Sequence, residues 1–327
     1  MKPSAVVFQS LSDEQNACLN EKVDALYFLD HESRRSEACQ QALAKADGIL
    51  APGGYVLNES KLVRMPHLKA VSTISVGYDS YDVEALTQRG IVLTHTPGVL
   101  DDSVADLVLA LMLSTARRVV ELDEWVRQGQ WQTGLPVTQF GCDVHHKTLG
   151  IIGLGRIGMA VAQRAHLGFS MSILYHARHA KPDAESFFSA RRVELNELLE
   201  QSDFVVMLVP LTQETHHMIG KDQLAAMKRS AILINAARGD VVDEQALIQA
   251  LEHRVIAAAG LDVFHREPIP LDLPLLSMKN VVALPHIGSA TIQTRNAMVD
   301  LAISNLIQAL TRDSLINCVN PHVRRQK

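Results

Sequence analysis

The chain has 327 residues, of which 47% are hydrophobic and 20% are charged, and its formal net charge at pH 7 is -5. This composition is typical of a globular protein and excludes a disordered, fibrous or membrane-embedded one. The negative balance provides no global positive field for nucleic acid or an anionic membrane, so small molecules are the expected partners.

The length and the cysteines narrow the class of protein further. Because a single hydrophobic core stops growing at about 250 to 300 residues, two domains are predicted. The four cysteines lie far apart without a CxxC pair, which favours neither a zinc knuckle nor a disulfide framework.

The N-terminal segment runs directly into a strand-like run without an apolar signal core, so a cytoplasmic protein is expected. The longest apolar stretch, Leu107 to Leu113, is far shorter than the roughly 20 residues of a membrane span and predicts a buried helix.

Short strand-like runs alternate with helical stretches at the start of the chain. This alternation predicts a wound α/β sheet with helices on its faces. The predicted strands are Ala5 to Phe8, Ala25 to Leu29, Gly48 to Ala51, Ala70 to Ser75 and Ile91 to His95.

A second series of the same kind follows Lys147, so the chain is predicted to hold two such sheets. Between the two series lies a long helical pattern from Val104 to Gln128. A last helix, Thr291 to Leu310, has too little chain after it to found a domain, and we expect it to pack on the first domain. The strands predicted in the second series are Leu149 to Ile152, Ser172 to Tyr175, Phe204 to Val209, Ala231 to Asn235, Ile256 to Leu261 and Val281 to Leu284.

A glycine motif joins the first strand and helix of the second series. Gly153, Gly155 and Gly158 form a G-x-G-x-x-G sequence that follows an apolar run and opens a helical pattern. Without side chains at these points, backbone amides and the helix N-terminus can meet a pyrophosphate. A lone match of this motif is weak evidence, but its place between a strand and a helix favours dinucleotide binding over a merely structural turn.

The end of the next strand carries basic residues where NAD-binding sheets usually have an acid. That acid would hydrogen-bond the adenosine ribose, but the strand here is followed by His176, Arg178, His179 and Lys181. A guanidinium with its two-pronged geometry suits a 2′-phosphate, so Arg178 is the leading candidate to bind it. The pattern therefore favours NADP(H) over NAD(H), although a solvated basic loop would look the same.

From the first strand to Pro321, the chain resembles the D-isomer-specific 2-hydroxyacid dehydrogenase family. Within it, His145 to Gly150 and the missing ribose acid resemble the bacterial glyoxylate/hydroxypyruvate reductases, some of which are also called 2-ketogluconate reductases. The motifs that carry the resemblance are Ser75 to Asp79, the glycine turn, Pro210 to Thr215, Asn235 to Gly239, Gly260 to Phe264 with Glu267 and Pro268, and Pro285 to Gly288.

The resemblance implies an α/β fold of two doubly wound parallel-sheet domains. Residues 1–101 and 289–327 would form a flavodoxin-like substrate-binding (catalytic) domain, and residues 102–288 a Rossmann dinucleotide-binding domain. Hinge closure between domains would then assemble the site and exclude water. The helical region from Val104 to Trp131 would be a dimer arm and the protein a homodimer, although the sequence alone equally suits an internal packing helix.

Three residues match the catalytic positions of the family. Arg238 is suited to hold the carboxylate of a 2-oxo acid and to polarise its carbonyl oxygen. His286, as imidazolium, can donate a proton to the alkoxide that forms when hydride reaches the carbonyl carbon, and Glu267 can orient the ring and favour its charged form. Singly, each has a plainer interpretation as a surface ion-pair partner or loop cap. All three, however, follow strand-like runs of the second sheet, where wound α/β proteins bind ligands.

The family assigns further residues to the two ligands. Val76 and Gly77 would bind the substrate carboxylate through backbone amides, together with Arg238 and His286. No metal is predicted, because the adjacent pairs His145-His146 and His216-His217 point in different directions and lack metal-ligand spacing. The predicted cofactor contacts are Val104, Gly153, Gly155, Arg156, Ile157, Gly158, His176, Arg178, Val209, Pro210, Ala236, Arg238, Asp262, His286 and Gly288.

The expected function is NADPH-dependent reduction of small 2-oxo acids, namely glyoxylate, hydroxypyruvate and 2-ketogluconate, to D-2-hydroxy acids. The alternatives are another D-2-hydroxyacid dehydrogenase of the family or a non-enzymatic, dinucleotide-sensing protein like the corepressors that share the fold. A phosphoglycerate dehydrogenase would often carry an extra regulatory domain, and a formate dehydrogenase a longer N-terminal region. A corepressor-like role is disfavoured because no disordered interaction tail is evident.

Overall fold

The computed structural model describes residues 2–311 and 316–323. The chain forms two compact units, one made of the residues up to Leu100 with those from Thr291 onward, the other of Asp101–Ala290. Among the described helices, none combines the length and the apolar character that crossing a membrane requires.

The first unit is built on a five-stranded sheet. Its strand order is β2-β1-β3-β4-β5, and each neighbouring pair is parallel. This is the flavodoxin-like order of a doubly wound sheet. The strands are β1 (Ser4–Val7), β2 (Asp24–Tyr27), β3 (Gly48–Pro52), β4 (Ala70–Ile74) and β5 (Val92–Thr94), and the helices between them are α1 (Asp13–Lys22), α2 (His31–Arg35), α3 (Glu37–Lys45), α4 (Glu59–Leu62) and α5 (Val83–Gln88).

Helices cover both faces of this sheet, so its central strands are buried almost throughout. β4 is buried at every position, including Ser72 and Thr73, so it shows no alternation of buried and exposed residues. Side-chain caps start several of the helices. Ser12, for example, accepts the Gln15 N–H while the Gln15 side chain accepts the Ser12 N–H, so α1 begins with a capping box.

The second unit is built on a seven-stranded sheet in the order β12-β11-β10-β9-β6-β7-β8, again with parallel neighbours. Its strands are β6 (Thr148–Ile152), β7 (Ser172–His176), β8 (Arg191–Arg192), β9 (Phe204–Met207), β10 (Ile232–Asn235), β11 (Ala258–Leu261) and β12 (Val281–Ala283). The helices are α6 (Asp101–Ala116), α7 (Val119–Arg127), α8 (Arg156–Phe169), α9 (Pro182–Phe188), α10 (Leu195–Gln201), α11 (Lys221–Ala226) and α12 (Glu244–Glu252), and 3-10 turns span Val137–Gln139, Gly239–Val241 and Pro274–Ser277.

The strand order of the second unit is that of a Rossmann fold. The chain leaves β6 for β7 on one side and returns to β9 on the other, so the switch point of the sheet lies between β6 and β9. One apolar core packs α6, α8 and α9 on one face, and another packs α10, α11 and α12 on the opposite face. The predicted fold class, two doubly wound parallel-sheet units, is confirmed.

The last helix, α13 (Ile292–Thr311), belongs to the first unit. It contacts β3, β4 and β5 as well as α1. Ser72 of β4 donates its hydroxyl to the Ala302 carbonyl at 2.8 Å, and Gln15 of α1 donates to the Asp300 carboxylate at 2.8 Å. These bonds link α13 to a strand and a helix from the beginning of the chain.

The structure corrects the predicted elements at two places. The helical pattern from Val104 to Gln128 is two helices, because Arg118 adopts a left-handed conformation (φ 55°) between α6 and α7. Its guanidinium is held by Glu121 at 2.7 and 2.9 Å and by the Thr138 carbonyl at 2.6 Å. The second difference is β8, a two-residue edge strand of exposed arginines that hydrophobic patterning does not signal.

Candidate active site

The glycine turn lies at the switch point of the Rossmann sheet, directly after β6. Gly153 has a φ of +99°, and a Cβ there would come within 2.7 Å of the Leu208 backbone. By contrast, a Cβ on Gly155 would meet none of the described atoms within 4 Å. Packing therefore explains the first glycine but not the second, whose bare backbone leaves space for a ligand to approach.

The helix that follows this turn begins without a side-chain cap. Gly155 is the N-cap of α8 and supplies no side-chain acceptor to the first turn. The amide groups and positive dipole end of a helix of 14 residues therefore face the glycine turn. Arg156 at the start of α8 forms an ion pair with Asp101 at 3.4 Å. The turn suits a pyrophosphate, so the residues fit the dinucleotide that the motif predicts.

The end of β7 carries the basic residues that the sequence singles out. His176 directs Nδ1 to the Val193 carbonyl at 3.2 Å, and Arg178 is exposed in the loop beyond it. Arg192 of β8 donates to the carbonyl oxygens of Ala177 and Arg178, both at 3.1 Å. Sequence reasoning missed Arg192, because its position depends on the pairing of β7 with β8.

An acidic residue from a different loop lies near Arg178. The hydroxyl of Thr212 donates to Glu214 at 2.7 Å, and this bond, followed by the Glu214 backbone N–H and the Arg178 charge, lowers the pKa of Glu214. The loop after β7 therefore has a carboxylate near Arg178, although the strand itself ends without an acidic residue.

Three loops at the carboxyl ends of neighbouring strands carry Arg238, Glu267 and His286. These residues follow β10, β11 and β12, which lie side by side in the sheet. Because parallel strands end at the same edge, residues far apart in sequence meet there. His286 and Glu267 form a hydrogen bond of 2.7 Å between Nδ1 and a carboxylate oxygen, and both side chains are partly exposed.

Backbone contacts between two of these loops hold Arg238 near Glu267. A Cβ on Gly239 would lie 1.9 Å from the carbonyl carbon of Phe264, so only glycine allows the two backbones to approach this closely. The Phe264 N–H donates to Glu267 at 3.0 Å, and the Arg238 guanidinium donates to the Ala237 carbonyl at 2.8 Å. The turn after β10 thus supports the carboxylate that pairs with His286.

The environment of Glu267 keeps it ionised. Burial raises the pKa of Glu267, but hydrogen bonds from His286 and the Phe264 N–H, with the charges of His286 and Arg238, lower it by more. The result is a pKa below the usual value of 4.5. A carboxylate in this state can orient the His286 ring through the hydrogen bond to Nδ1.

Asp262 holds the loop that carries His286. Its side chain is buried, and its two oxygens accept the N–H groups of Ile287 at 2.7 Å and Gly288 at 2.9 Å. Burial, the largest effect, raises the pKa of Asp262, while these two bonds oppose the rise. Asp262 was predicted as a cofactor contact, and its observed contacts are with the backbone beside His286.

Other predicted residues lie around the same edge of the second unit. Val104 of α6 is buried, and a Cβ added to Gly288 would lie 3.4 Å from its side chain. The neighbouring Ser103 donates its hydroxyl to the Gly288 carbonyl at 3.1 Å. Ile157 lies in the first turn of α8, Val209 and Pro210 follow β9, and Ala236 follows β10.

The predicted substrate loop belongs to the first unit, directly after β4. The Val76 carbonyl lies 3.0 Å from His95 Nδ1, and the Gly77 carbonyl accepts the Ser75 hydroxyl at 2.6 Å. Tyr78 packs edge-on against the His95 ring. These contacts hold both peptide groups of the loop in place.

The predicted geometry of one histidine pair is wrong. The His216 and His217 rings do not point in different directions, because they stack with centroids 4.0 Å apart and planes 24° apart. Only His145 and His146 are arranged edge to face, with an interplanar angle of 89°.

Comparison with known proteins places the chain in a family. Residues 109–288 match the model of the D-isomer specific 2-hydroxyacid dehydrogenase, NAD binding domain. The chain is 53% identical to glyoxylate/hydroxypyruvate reductase B of Pectobacterium carotovorum subsp. carotovorum (strain PC1). It is 54% identical to the protein of the same name from Yersinia pestis (strain Pestoides F). Both alignments cover 99% of this chain and 99% of the relative.

The fold is shared with a solved relative. The crystal structure of an NADPH-dependent glyoxylate/hydroxypyruvate reductase from Sinorhizobium meliloti, in complex with NADP and malonate, superposes with a TM-score of 0.88 at 33% identity. The match covers 100% of this chain and 99% of the other. The chain therefore belongs to the D-isomer specific 2-hydroxyacid dehydrogenase family and is an oxidoreductase.

Proposed function

We propose that this enzyme uses NADPH to reduce glyoxylate to glycolate and hydroxypyruvate to D-glycerate, and that it also accepts 2-ketogluconate. The observation that carries the proposal is the 2.7 Å hydrogen bond between His286 and Glu267, beside Arg238 at the ligand-binding edge of a Rossmann sheet. The names of the relatives at 53 and 54% identity support the choice of the first two substrates.

The cofactor would be held by the glycine turn and the loops beside it. Its pyrophosphate fits the uncapped N-terminus of α8 at Gly155 and Arg156. When bound, the reduced nicotinamide supplies a hydride to the carbonyl carbon of the substrate. Val104, Ala236 and Gly288 would line the nicotinamide end, and Val209 and Pro210 would lie along the adenosine.

Arg238 would bind and orient the substrate. Its guanidinium can donate two charge-assisted hydrogen bonds to the carboxylate of a 2-oxo acid and polarise the adjoining carbonyl oxygen. This contact would fix which face of the carbonyl carbon receives the hydride. In the first unit, Val76 and Gly77 would bind a substrate carboxylate through their N–H groups, on a loop whose carbonyl oxygens contact His95 and Ser75.

His286 would act as the general acid. Nδ1 is bound by Glu267, so the proton for the substrate would come from Nε2. As negative charge develops on the carbonyl oxygen, the imidazolium proton moves to it and the hydroxy acid forms. The ionised Glu267 would hold the ring through Nδ1 and so keep Nε2 directed at the substrate during the transfer.

The preference for NADPH rests on the charges after β7. The strand ends without the acid that would bind a ribose 2′-hydroxyl, and Arg178 stands in the following loop with its carbonyl held by Arg192. A guanidinium can pair with a 2′-phosphate, which NADH lacks. His176 would lie beside Arg178 at the adenosine ribose.

We also propose that the enzyme acts in the cytoplasm as a homodimer. Support for the dimer comes from the segment after α6, which exposes an unusual number of large apolar side chains for a surface region. They are Val119, Val120, Val126, Trp131, Leu135, Val137 and Phe140. Light scattering during size-exclusion chromatography would measure the mass in solution.

The proposal is tested by following the absorbance of NADPH and NADH separately with each of the three 2-oxo acids. We expect faster oxidation of NADPH and the highest kcat/KM with hydroxypyruvate or glyoxylate. Oxidation of neither cofactor by folded protein that still binds a dinucleotide would refute the reductase activity and favour a sensor or a more specialised dehydrogenase.

A further inference from the structure

A cluster of metal-binding side chains lies outside the residues assigned to substrate and cofactor. His216 and His217 lie in the loop after β9, and Asp240 lies in the 3-10 turn after β10. One ligand atom from each residue can be chosen so that all three lie within 4.8 Å of one another. Both histidines are exposed and Asp240 is half-buried, so an ion can reach the cluster from solvent.

Backbone hydrogen bonds hold the two segments of the cluster together. The His217 N–H donates to the Asp240 carbonyl at 2.7 Å, and the Ile219 N–H donates to the Val241 carbonyl at 3.1 Å. A parallel bridge between Ile219 and Val242 continues this pairing. Main-chain contacts therefore fix the relative position of the two backbone segments that carry the imidazoles and the carboxylate.

The backbone at His217 is also unusual. Its φ is 52°, in the left-handed region that residues other than glycine rarely adopt. The hydrogen bond to Asp240 stabilises this conformation, which allows the two adjacent rings to stack on one side of the chain rather than diverge.

A fourth polar side chain orients the carboxylate. His265 Nδ1 forms a hydrogen bond with Oδ1 of Asp240, while the His265 backbone N–H donates to Glu244 at 3.3 Å. With Oδ1 engaged in this way, Oδ2 of Asp240 remains to bind an ion. Groups that hydrogen-bond a metal-binding carboxylate from outside are a regular feature of protein metal sites.

The donor atoms decide which ion the cluster fits. Two imidazole nitrogens and one carboxylate oxygen suit zinc and other divalent transition metals, whereas magnesium and calcium prefer oxygen ligands alone. Ligands at about 2.0–2.1 Å from a tetrahedral zinc ion stand about 3.3 Å apart. To bind one ion, the stacked rings must rotate until a nitrogen of each points at it, and the exposure of both histidines leaves room for this rotation.

We propose that His216, His217 and Asp240 bind one divalent transition-metal ion, with zinc as the reference ion and His265 as the group that orients Asp240. Three protein ligands leave a fourth position for water. The site is separate from Arg238, Glu267 and His286, but Asp240 lies in the turn that begins after Arg238. Bound metal would therefore join the loops after β9 and β10.

The test begins by removing metals from the full-length protein with a chelator. The protein is then titrated with zinc chloride, and isothermal calorimetry measures the binding. We expect one ion per chain. His216→Ala and Asp240→Asn should each lower the affinity by at least about 10-fold, and His265→Ala should lower it by about 10-fold through loss of carboxylate orientation. Zinc should also raise the thermal unfolding midpoint of the wild type more than that of these variants.

A second histidine pair provides a matched control. His145 and His146 are also adjacent and near a carboxylate, with Asp143 at 3.7 Å from His145, but their rings are arranged edge to face. The double variant His145→Ala/His146→Ala removes the same two imidazoles from the surface and should retain zinc affinity. At His217, asparagine is the variant of choice because it tolerates the left-handed backbone.

Circular dichroism and thermal unfolding in chelator will establish that each variant is folded. As a readout that needs no variant, cobalt should give the visible absorption of a tetrahedral nitrogen and oxygen site. Absence of zinc binding by the wild type would overturn the proposal. Unchanged affinity in His216→Ala and Asp240→Asn would do so too, as would an equal loss in the His145→Ala/His146→Ala control.

Discussion

Replacing Glu267 with glutamine removes the negative charge beside His286 and keeps almost the same shape. The glutamine carbonyl can still accept the Phe264 N–H, which donates to Glu267 at 3.0 Å. What is lost is the charge-assisted bond to His286 Nδ1 at 2.7 Å. The His286 ring is then held less firmly in the orientation that presents Nε2 to the substrate.

The size of the effect follows from the exposure of the pair. A hydrogen bond to a charged group contributes about 1.5 to 3 kcal/mol. The side chains of His286 and Glu267 are 46% and 36% exposed, so solvent screening places the expected value at the lower end of that range. About 1.5 kcal/mol corresponds to a factor of just over 10 in kcat.

The assay is the rate of NADPH oxidation with hydroxypyruvate at one fixed pH near neutrality. We expect kcat of Glu267→Gln to be about 10-fold below that of the wild type, because the charge-assisted bond that holds the general acid is lost. The dissociation constant for NADPH should change little. Glu244→Gln is the matched control, because Glu244 accepts the backbone N–H of His265 instead.

The same carboxylate links stability to acid pH. The pKa of Glu267 is lowered in the folded protein, so its contribution is fully present above the unfolded value near 4.5 and is lost as pH falls through the folded value. Glu267→Gln should therefore lower the free energy of unfolding near neutral pH more than at acid pH. Equal kcat values for the wild type and Glu267→Gln would refute the role of this carboxylate in the reaction.

Three further substitutions test separate parts of the site. Arg178→Ala should weaken NADPH binding by about 1.5 to 3 kcal/mol and leave NADH binding almost unchanged. Fluorescence titrations with each cofactor measure this, and equal losses of affinity for NADPH and NADH would rule out contact with a 2′-phosphate. His286→Ala should reduce kcat by roughly 10² to 10⁴ with little effect on the dissociation constant of NADPH, and an unchanged kcat would remove His286 as the proton donor. In Asp262→Asn, the amide oxygen can accept only one of the two N–H groups of Ile287 and Gly288. Urea denaturation should therefore show a free energy of unfolding lower by about 1 to 3 kcal/mol. An unchanged free energy of unfolding would contradict the role assigned to Asp262.

The predicted strands agree with the observed ones to within two residues at each end, except at β8. That strand consists of Arg191 and Arg192, both exposed, and is defined by pairing with β7. The break at Arg118 was also missed, because neither proline nor glycine marks it and the helical pattern continues across it. Its left-handed backbone is stabilised by side-chain bonds to Glu121 and Thr138, which depend on the folded position of the later segment.

Local chemistry made some of the site predictable. The glycines at 153, 155 and 158 indicate a dinucleotide site because a strand and a helix flank them directly. The residues after β7 indicate which cofactor binds, because the ribose site lies at a regular distance in sequence from the glycine turn. By contrast, the stacking of His216 on His217 depends on a backbone hydrogen bond to Asp240, and residue spacing led to the opposite expectation.

The sequence by itself determined the two wound sheets, the glycine turn and the residue types that dinucleotide and 2-oxo acid chemistry needs, because these follow from short-range periodicity and steric limits. Only the tertiary structure decided which side chains meet. Glu267 and His286 are 19 residues apart and pair because β11 and β12 are neighbours, and Asp262 binds the His286 loop for the same reason. Such contacts depend on the order of strands in a sheet, which no local pattern of residues encodes.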